Sequence, residues 1–308
     1  MAFTYHDLKF HARNALKAVG LENAGLEARE ILCVASGKTK EELLRDQDLY
    51  VNDDFIKRVG DMVDRRREGV PLAYVLGEWS FRELTLDVSP AALIPRQETE
   101  ILAQLAIDWL REREEEEHLR VLDLCAGTGC VGLSIASEVK NTRVVLVDAS
   151  PEALDLCRRN VRRNRLGARA IHMKGDALKE PNAALGLFDL LVCNPPYIPT
   201  GDIPGLDPSV RDFEPHIALD GGADGLDFYR SVTEQWTPLL RPGGHILYEV
   251  GIGQAEQVAM LMKRRGCKQL RITRDLAHIP RVVEGTIPYI LKDDGEKNDG
   301  ETEPQEET

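Results

Sequence analysis

Apolar residues recur at three- and four-residue spacing through the first 70 or so positions, as in Leu26, Ile31, Leu32 and Val34, and again in Phe55, Val59, Met62 and Val63. That spacing lines one face of a helix, so it predicts a small helical bundle. Asn23, Thr39 and Asn52 stand where N-caps belong, and Thr39-x-x-Glu42 has the form of a capping box. Between Trp79 and Val88 the period drops to two, which predicts a short hairpin. From Leu119 onward apolar strands alternate with helical stretches. The strand candidates are Leu119–Leu124, Arg143–Val147, Ala170–Met173, Leu187–Cys193, Gly244–Val250, Lys268–Thr273 and Arg281–Leu291. The best-marked helix begins at Ser150-Pro151-Glu152, with a capping serine, proline at the first helical position and an acid in the first turn. Strands joined by helical crossovers imply an α/β class with a mainly parallel, doubly wound sheet. The expected organisation is a helical domain over 1–75, a hairpin linker over 76–100, an α/β domain over 101–292 and a tail over 293–308.

Charge changes this picture mainly at the C-terminus. The net charge is -13, but Asp293 to Thr308 hold eight acids and one base, which is -7 and leaves -6 for the rest. With no aliphatic or aromatic residue after Leu291, that tail is expected to be disordered. A mildly acidic body is a poor partner for a phosphate backbone, so no direct nucleic-acid binding is expected. No apolar run approaches membrane-spanning length. Residues 1–20 are broken by His6, Asp7, Lys9, His11, Arg13 and Lys17 and hold no signal-peptide core, so a cytoplasmic location is expected. The six cysteines (Cys33, Cys125, Cys130, Cys157, Cys193, Cys267) form no Cys-x-x-Cys pair and read as reduced thiols. His172, His216, His245 and His278 lack ligand spacing, so no metal is expected. The Glu114–Glu117 run and the cluster Arg158, Arg159, Arg162, Arg163 and Arg165 read as solvated helix surface.

Two segments carry chemistry. Val121-Leu122-Asp123-Leu124-Cys125-Ala126-Gly127-Thr128-Gly129 is an apolar strand entering a glycine turn at a helix start. Glycines there admit a ligand close to the backbone, and the helix start offers free N–H groups. Asp148, at the end of the next strand, can accept hydrogen bonds from both ribose hydroxyls of an adenosine. Gly127, Gly129 and Gly132 also satisfy G-x-G-x-x-G, so the loop alone leaves a nicotinamide dinucleotide open beside S-adenosylmethionine. Asp123 favours the latter, since a carboxylate suits a methionine ammonium and repels a pyrophosphate.

The second segment is the strand ending at Asn194-Pro195-Pro196-Tyr197. Two prolines end its hydrogen-bond ladder and project the chain from the C-terminal edge of the sheet, where open α/β folds bind ligands. An amide or exocyclic amine holds its nitrogen lone pair in a π system. The Asn194 side-chain oxygen and the Pro195 carbonyl can accept its two hydrogens and aim that lone pair, while Tyr197 offers a stacking face. The expected catalytic residues are Asn194, Pro195 and Tyr197, with Pro196 completing the substrate frame.

These residues resemble the HemK/PrmC family, the N5-glutamine methyltransferases that modify the Gly-Gly-Gln loop of class 1 peptide-chain release factors. The similarity runs from about Pro71 to Leu291. It includes Pro71-Leu72-Ala73-Tyr74-Val75-Leu76-Gly77, Leu93-Ile94-Pro95-Arg96-Gln97-Glu98-Thr99-Glu100, and Val210-Arg211-Asp212-Phe213-Glu214-Pro215. The resemblance implies a seven-stranded doubly wound sheet and S-adenosyl-L-methionine as donor. It implies donor binding by Cys125, Ala126, Gly127, Thr128, Gly129 and Asp148, with Asp176 and Ala177 flanking the adenine and Asn194 touching donor and target. A monomer acting on release factors is the implied assembly. Gln97, Glu83, Cys125-Ala126 and Ala177 depart from the family pattern, where proline, glycine, Gly-Thr and an aromatic residue are common. Arg96 and Glu98 can either shape the donor pocket or lock the hairpin; Arg211 and Glu214 can form a lid or a structural ion pair. Cys193 reads as buried. Competing functions are N6-adenine methylation of DNA or RNA, because the same tetrapeptide grips an adenine amine, a nicotinamide-dependent oxidoreductase, and a non-catalytic binding factor.

Overall fold

The computed structural model describes residues 3–288. Helices α1 (Tyr5–Ala18), α2 (Ala24–Ser36), α3 (Lys40–Arg45), α4 (Asp53–Arg67) and α5 (Leu72–Leu76) build the N-terminal unit. Its core is the stripe the spacing predicts, with Leu8, Leu16, Ile31, Leu32, Val59 and Val63 packed together. Thr39 and Glu42 form the expected reciprocal capping box, and the Asn52 side chain accepts from Phe55 N–H. Asn23 occupies the cap position of α2 but makes no side-chain cap bond, so that cap is corrected to a positional one. A second capping box, Thr4 with Asp7, opens α1.

The predicted hairpin is β1 (Glu78–Phe81) paired antiparallel with β2 (Leu84–Asp87). Then follow α6 (Thr99–Arg111), β3 (Leu119–Leu124), α7 (Cys130–Glu138), β4 (Thr142–Asp148), α8 (Pro151–Arg163), β5 (Ala170–Lys174), β6 (Phe188–Cys193), α9 (Pro208–Arg211), α10 (Asp227–Ser231), β7 (Leu240–Glu249), α11 (Ala255–Arg264), β8 (Lys268–Arg274) and β9 (Pro280–Thr286). The described residues form a seven-stranded sheet in the order β5-β4-β3-β6-β7-β9-β8. Neighbours from β5 to β7 run parallel, whereas β9 is antiparallel to both β7 and β8. The last expected strand ends at Thr286 rather than Leu291. Residues 289–291 and the acidic tail lie outside the described residues. Glu114–Glu117 lie exposed just beyond the end of α6.

Both faces of the sheet are covered, which explains the nearly continuous apolar strands. On β3, Val121 enters one layer with Leu102 and Leu133, while Leu122 and Leu124 enter the other with Tyr229 and Trp236. Each fully buried side chain of that size contributes about 1.5–3 kcal/mol. From β3 the chain is wound outward in both directions, to β4 on one side and β6 on the other. The crevice at such a switch point, beyond the C-terminal ends of the strands, is where ligands bind. The glycine loop, Asp148 and the Asn-Pro-Pro-Tyr segment all emerge there.

The hairpin is pinned to this domain by one buried side chain. Asn160 of α8 accepts from Asp87 N–H at 2.6 Å and donates to the Asp87 carbonyl at 3.1 Å and the Thr128 carbonyl at 3.0 Å. Arg163 adds ion pairs to Glu78 and Asp87. The arginine cluster on α8 is therefore partly tied into the hairpin, while Arg158 pairs with Asp155 on its own helix.

Candidate active site

A cleft lies over the C-terminal ends of β3, β4 and β6. Its walls include Asp123, Cys125, Ala126, Gly127, Thr128, Asp148, Asp176, Ala177, Asn194 and Pro196. Gly129, Pro195 and Tyr197 are not among the residues lining it. Of the residues expected to hold donor and target, most thus converge on one cavity.

The glycine loop owes its shape to left-handed backbone at Gly127 (φ 55°) and Gly129 (φ 81°). Ala126 N–H bonds the Val147 carbonyl at 3.0 Å, tying the loop to β4. Cys125 adopts φ 60°, a conformation that costs a side-chain-bearing residue roughly 1–2 kcal/mol and explains why glycine suits that position. Gly132 has a different task. A Cβ there would stand 2.8 Å from Asp123 Oδ2 and 2.9 Å from Val144 Cγ1, so glycine lets α7 pack onto the sheet. Its N–H then donates to Asp123 Oδ2 at 2.8 Å.

Asp148 accepts from Gly127 N–H at 2.8 Å and Ser150 N–H at 2.9 Å, one bond to each oxygen. Burial raises its pKa, opposed by those N–H bonds. Each oxygen keeps a lone pair for a further donor such as a ribose hydroxyl. Burial also lifts Asp123, up to about 7. A buried carboxylate whose charge is disfavoured gains from a cationic ligand. Among the described residues that line the cleft, Arg96 is the cation, against Asp123, Asp148 and Asp176. This donor set fits a sulfonium-ammonium ligand and opposes a pyrophosphate, so the nicotinamide reading loses its support here.

Asp176 bonds Leu178 N–H at 3.0 Å and pairs with Lys179 at 3.1 Å. Ala177 is buried, and its carbonyl accepts from the Ser231 hydroxyl at 2.7 Å. Leu178, Ile217 and Phe228 supply apolar wall beside it. None of the three stood out in the sequence, because they come from separate segments, Phe228 from α10, and share no spacing.

The tetrapeptide follows β6 directly, and Cys193 before it is fully buried, as expected. Asn194 donates through Nδ2 to the Thr99 hydroxyl at 3.3 Å, which leaves the Oδ1 end for an outside donor. The Tyr197 carbonyl accepts from Gln254 at 2.8 Å. Gly221, Gly225 and Gly251 pack so closely on Tyr197 that a Cβ on any of them would collide with it or with Gln254. Burial pushes the Tyr197 phenol up to about 12, so it stays neutral and can only stack or hydrogen-bond.

The ion pairs also resolve. Arg96 binds Glu214, whose side chain is 1% exposed, and Ile94 N–H donates to the same carboxylate at 3.3 Å. Arg211 pairs instead with its exposed neighbour Asp212, so Arg211 and Glu214 do not pair with each other. Thus the linker before α6 and the segment after the tetrapeptide clasp each other over the cleft. Glu98 lies 3.7 Å from Arg281 of β9.

A doubly wound seven-stranded sheet with β9 antiparallel, carrying an acidic glycine-loop cleft beside Asn-Pro-Pro-Tyr, defines an S-adenosylmethionine-dependent methyltransferase. The Methyltransferase small domain family model matches residues 96–203, and the PrmC N-terminal domain model matches residues 8–77. A release factor glutamine methyltransferase from Geobacter sulfurreducens is 40% identical over 277 residues, 89% of this chain and 94% of that one. One from Clostridium acetobutylicum is 33% identical, covering 90% of this chain and 96% of its own. The chain belongs to the release factor glutamine methyltransferase family. The hMettl16 catalytic domain, solved with the MAT2A 3'UTR hairpin 6, shares the fold alone: TM-score 0.52, 14% identity, 76% of this chain and 82% of that one. The N-terminal match extends the family likeness to the helices before Pro71, where the sequence motifs begin.

Proposed function

We propose that this enzyme methylates the side-chain amide nitrogen of the Gly-Gly-Gln glutamine of class 1 peptide-chain release factors. The observation that carries the reading is the Asn194 carboxamide, anchored through Nδ2 and open at Oδ1, on the wall of a cleft built for a cationic donor. The names of the Geobacter and Clostridium relatives support the substrate class.

S-adenosylmethionine, when bound, supplies a methyl group on a positively charged sulfur, which needs no strong base to react. The chain's own contribution is then position and charge. Asp123 is assigned to the ammonium, Asp148 to the ribose hydroxyls, and the backbone of Cys125 to Gly129 to the loop around the donor. Asp176 and Ala177 flank the adenine, with Leu178 and Phe228 as its apolar walls. Asn194 Oδ1 and the Pro195 carbonyl accept the two amide hydrogens of the target. Pro196 and Tyr197 frame its plane.

The helical unit, residues 1–75, docks the release factor, the hairpin linker over 76–100 joins it to the catalytic part over 101–292, and the enzyme acts as a monomer in the cytoplasm. No helix among the described residues is long and apolar enough to cross a membrane. Direct nucleic-acid binding is not part of this reading. Arg163 is engaged by Glu78 and Asp87, and the acidic cleft offers no track for a phosphate backbone. The test is mass spectrometry of a release factor incubated with enzyme and donor. A gain of one methyl on the glutamine of Gly-Gly-Gln is expected. Methylation of an adenine oligonucleotide with an untouched release factor would refute the assignment.

A further inference from the structure

Asn194 and Glu249 stand side by side at the sheet edge. Cys193 pairs with Tyr248 in the parallel register of β6 and β7, and each is followed directly by one of the two polar residues. Cys193 and Tyr248 point into the layer that holds Trp236, so Glu249, the last residue of β7, faces the opposite layer under α6, and Asn194, just beyond β6, reaches α6 through Thr99. The first residue of α6 is Thr99, 1% exposed. Its hydroxyl accepts from Asn194 Nδ2 at 3.3 Å. A hydroxyl has one proton of its own to give, and the buried Glu249 carboxyl, whose pKa the neighbouring Thr99 hydroxyl lowers, is the nearby group able to accept it. Glu249 is 3% exposed, and its Oε2 has no partner among the described residues.

We propose that Glu249 is a positioning residue that acts through Thr99 to hold the Asn194 carboxamide with Oδ1 toward the target amide. This rests on the amide-methylation reading above. An ionised Glu249 takes the Thr99 proton, so Thr99 must receive from Asn194, and the amide is fixed in one of its two flips. A protonated Glu249 can itself donate to the Thr99 oxygen, which frees the Thr99 proton to turn toward Asn194 Oδ1, so the amide is no longer held in one flip. The charged and titratable groups around Glu249 are Glu98 just before α6, Arg96 in the linker, Arg281 of β9, Tyr197 of the tetrapeptide, Cys130 at the start of α7 and Tyr229 of α10. Burial outweighs the two arginines and lifts Glu249 up to about 7, which puts the changeover near neutrality.

The test is kcat for release-factor methylation at saturating donor, where the Asp123 partner is already bound, between about pH 6 and pH 8. Wild type is expected to gain rate as pH rises through about 7. Glu249→Gln, whose amide oxygen still accepts from Thr99 but does not titrate, is expected to lose that acid limb. Thr99→Val should lower kcat by about 10- to 100-fold through misplacement of Asn194, with KM within about twofold, and Thr99→Ser should restore it. Calorimetry with S-adenosylhomocysteine should show an intact donor site in each variant. An unchanged acid limb in Glu249→Gln, or a Thr99→Val enzyme as fast as wild type, would overturn the proposal while the amide reading stands. A wild-type enzyme that leaves the release factor unmodified would overturn both.

Discussion

The Asn194 carboxamide has a donor end and an acceptor end, and the fold commits only the first, to Thr99. Removing the side chain takes away the acceptor without disturbing any strand, because Asn194 lies beyond the last residue of β6. Asn194→Ala is therefore expected to melt like wild type and to lower kcat by roughly 10²–10³-fold, as removal of one transition-state hydrogen bond does. Near-normal turnover would remove Asn194 from the chemistry. Asp148 behaves differently, since both its oxygens already serve the loop. Asp148→Asn turns one acceptor into a donor that faces Gly127 or Ser150 N–H. Affinity for S-adenosylhomocysteine should fall on the order of 10- to 100-fold, the worth of a hydrogen bond to a charged group. Calorimetry reads it, with kcat at saturating donor much less affected.

Elements were legible where a local rule decides them. β3 has the bounds its apolar run predicts, Leu119–Leu124, and Ser150 caps α8 by accepting from Ala153 N–H at 3.1 Å. The convergence of the glycine loop, Asp148 and Asn194 on one cleft was legible because each follows or ends a strand at the same edge of the sheet. Polar residues paired across the fold were not. Asn160, Thr99, Glu214 and Glu249 are all buried, and what each bonds depends on which elements the topology brings together. A lone asparagine in a helix gives no hint that it spans a hairpin and a glycine loop. Asn160 shows what that costs to remove: Asn160→Ala would strand Asp87 N–H and two carbonyls. A loss of about 3 kcal/mol is expected, since a buried group left unpaired costs roughly 1–3 kcal/mol, measured by urea denaturation. Donor affinity should fall with it, because the Thr128 carbonyl belongs to the loop. A variant as stable as wild type would mean that water replaces the amide at no cost.

Across the whole molecule the same burial that prepares the site sets how stability responds to pH. Asp123 and Glu249 are both lifted to about 7 by burial, and Asp148 is raised as well. Unfolded carboxylates titrate near pH 4. Between about pH 4 and 7 the folded chain therefore retains protons that the unfolded chain has released, and stability falls as pH rises across that window. Carboxylates shifted the other way, such as Asp7, Asp46 and Asp275, act in the opposite sense. Their effect is confined below about pH 4, where the unfolded groups begin to protonate, so they are silent nearer neutrality. The ligand-free chain should accordingly melt at a lower temperature at about pH 8 than at about pH 5.5, and Asp123→Asn should flatten that slope. If Asp123 receives the ammonium of the ligand, as proposed, S-adenosylhomocysteine should raise the melting temperature more at the alkaline end than at the acid end. A slope unchanged by Asp123→Asn would show that this carboxyl is not the buried proton acceptor its surroundings make it. The site is acidic, apolar-walled and costly to ionise when empty, and a cationic donor is the ligand that relieves that cost.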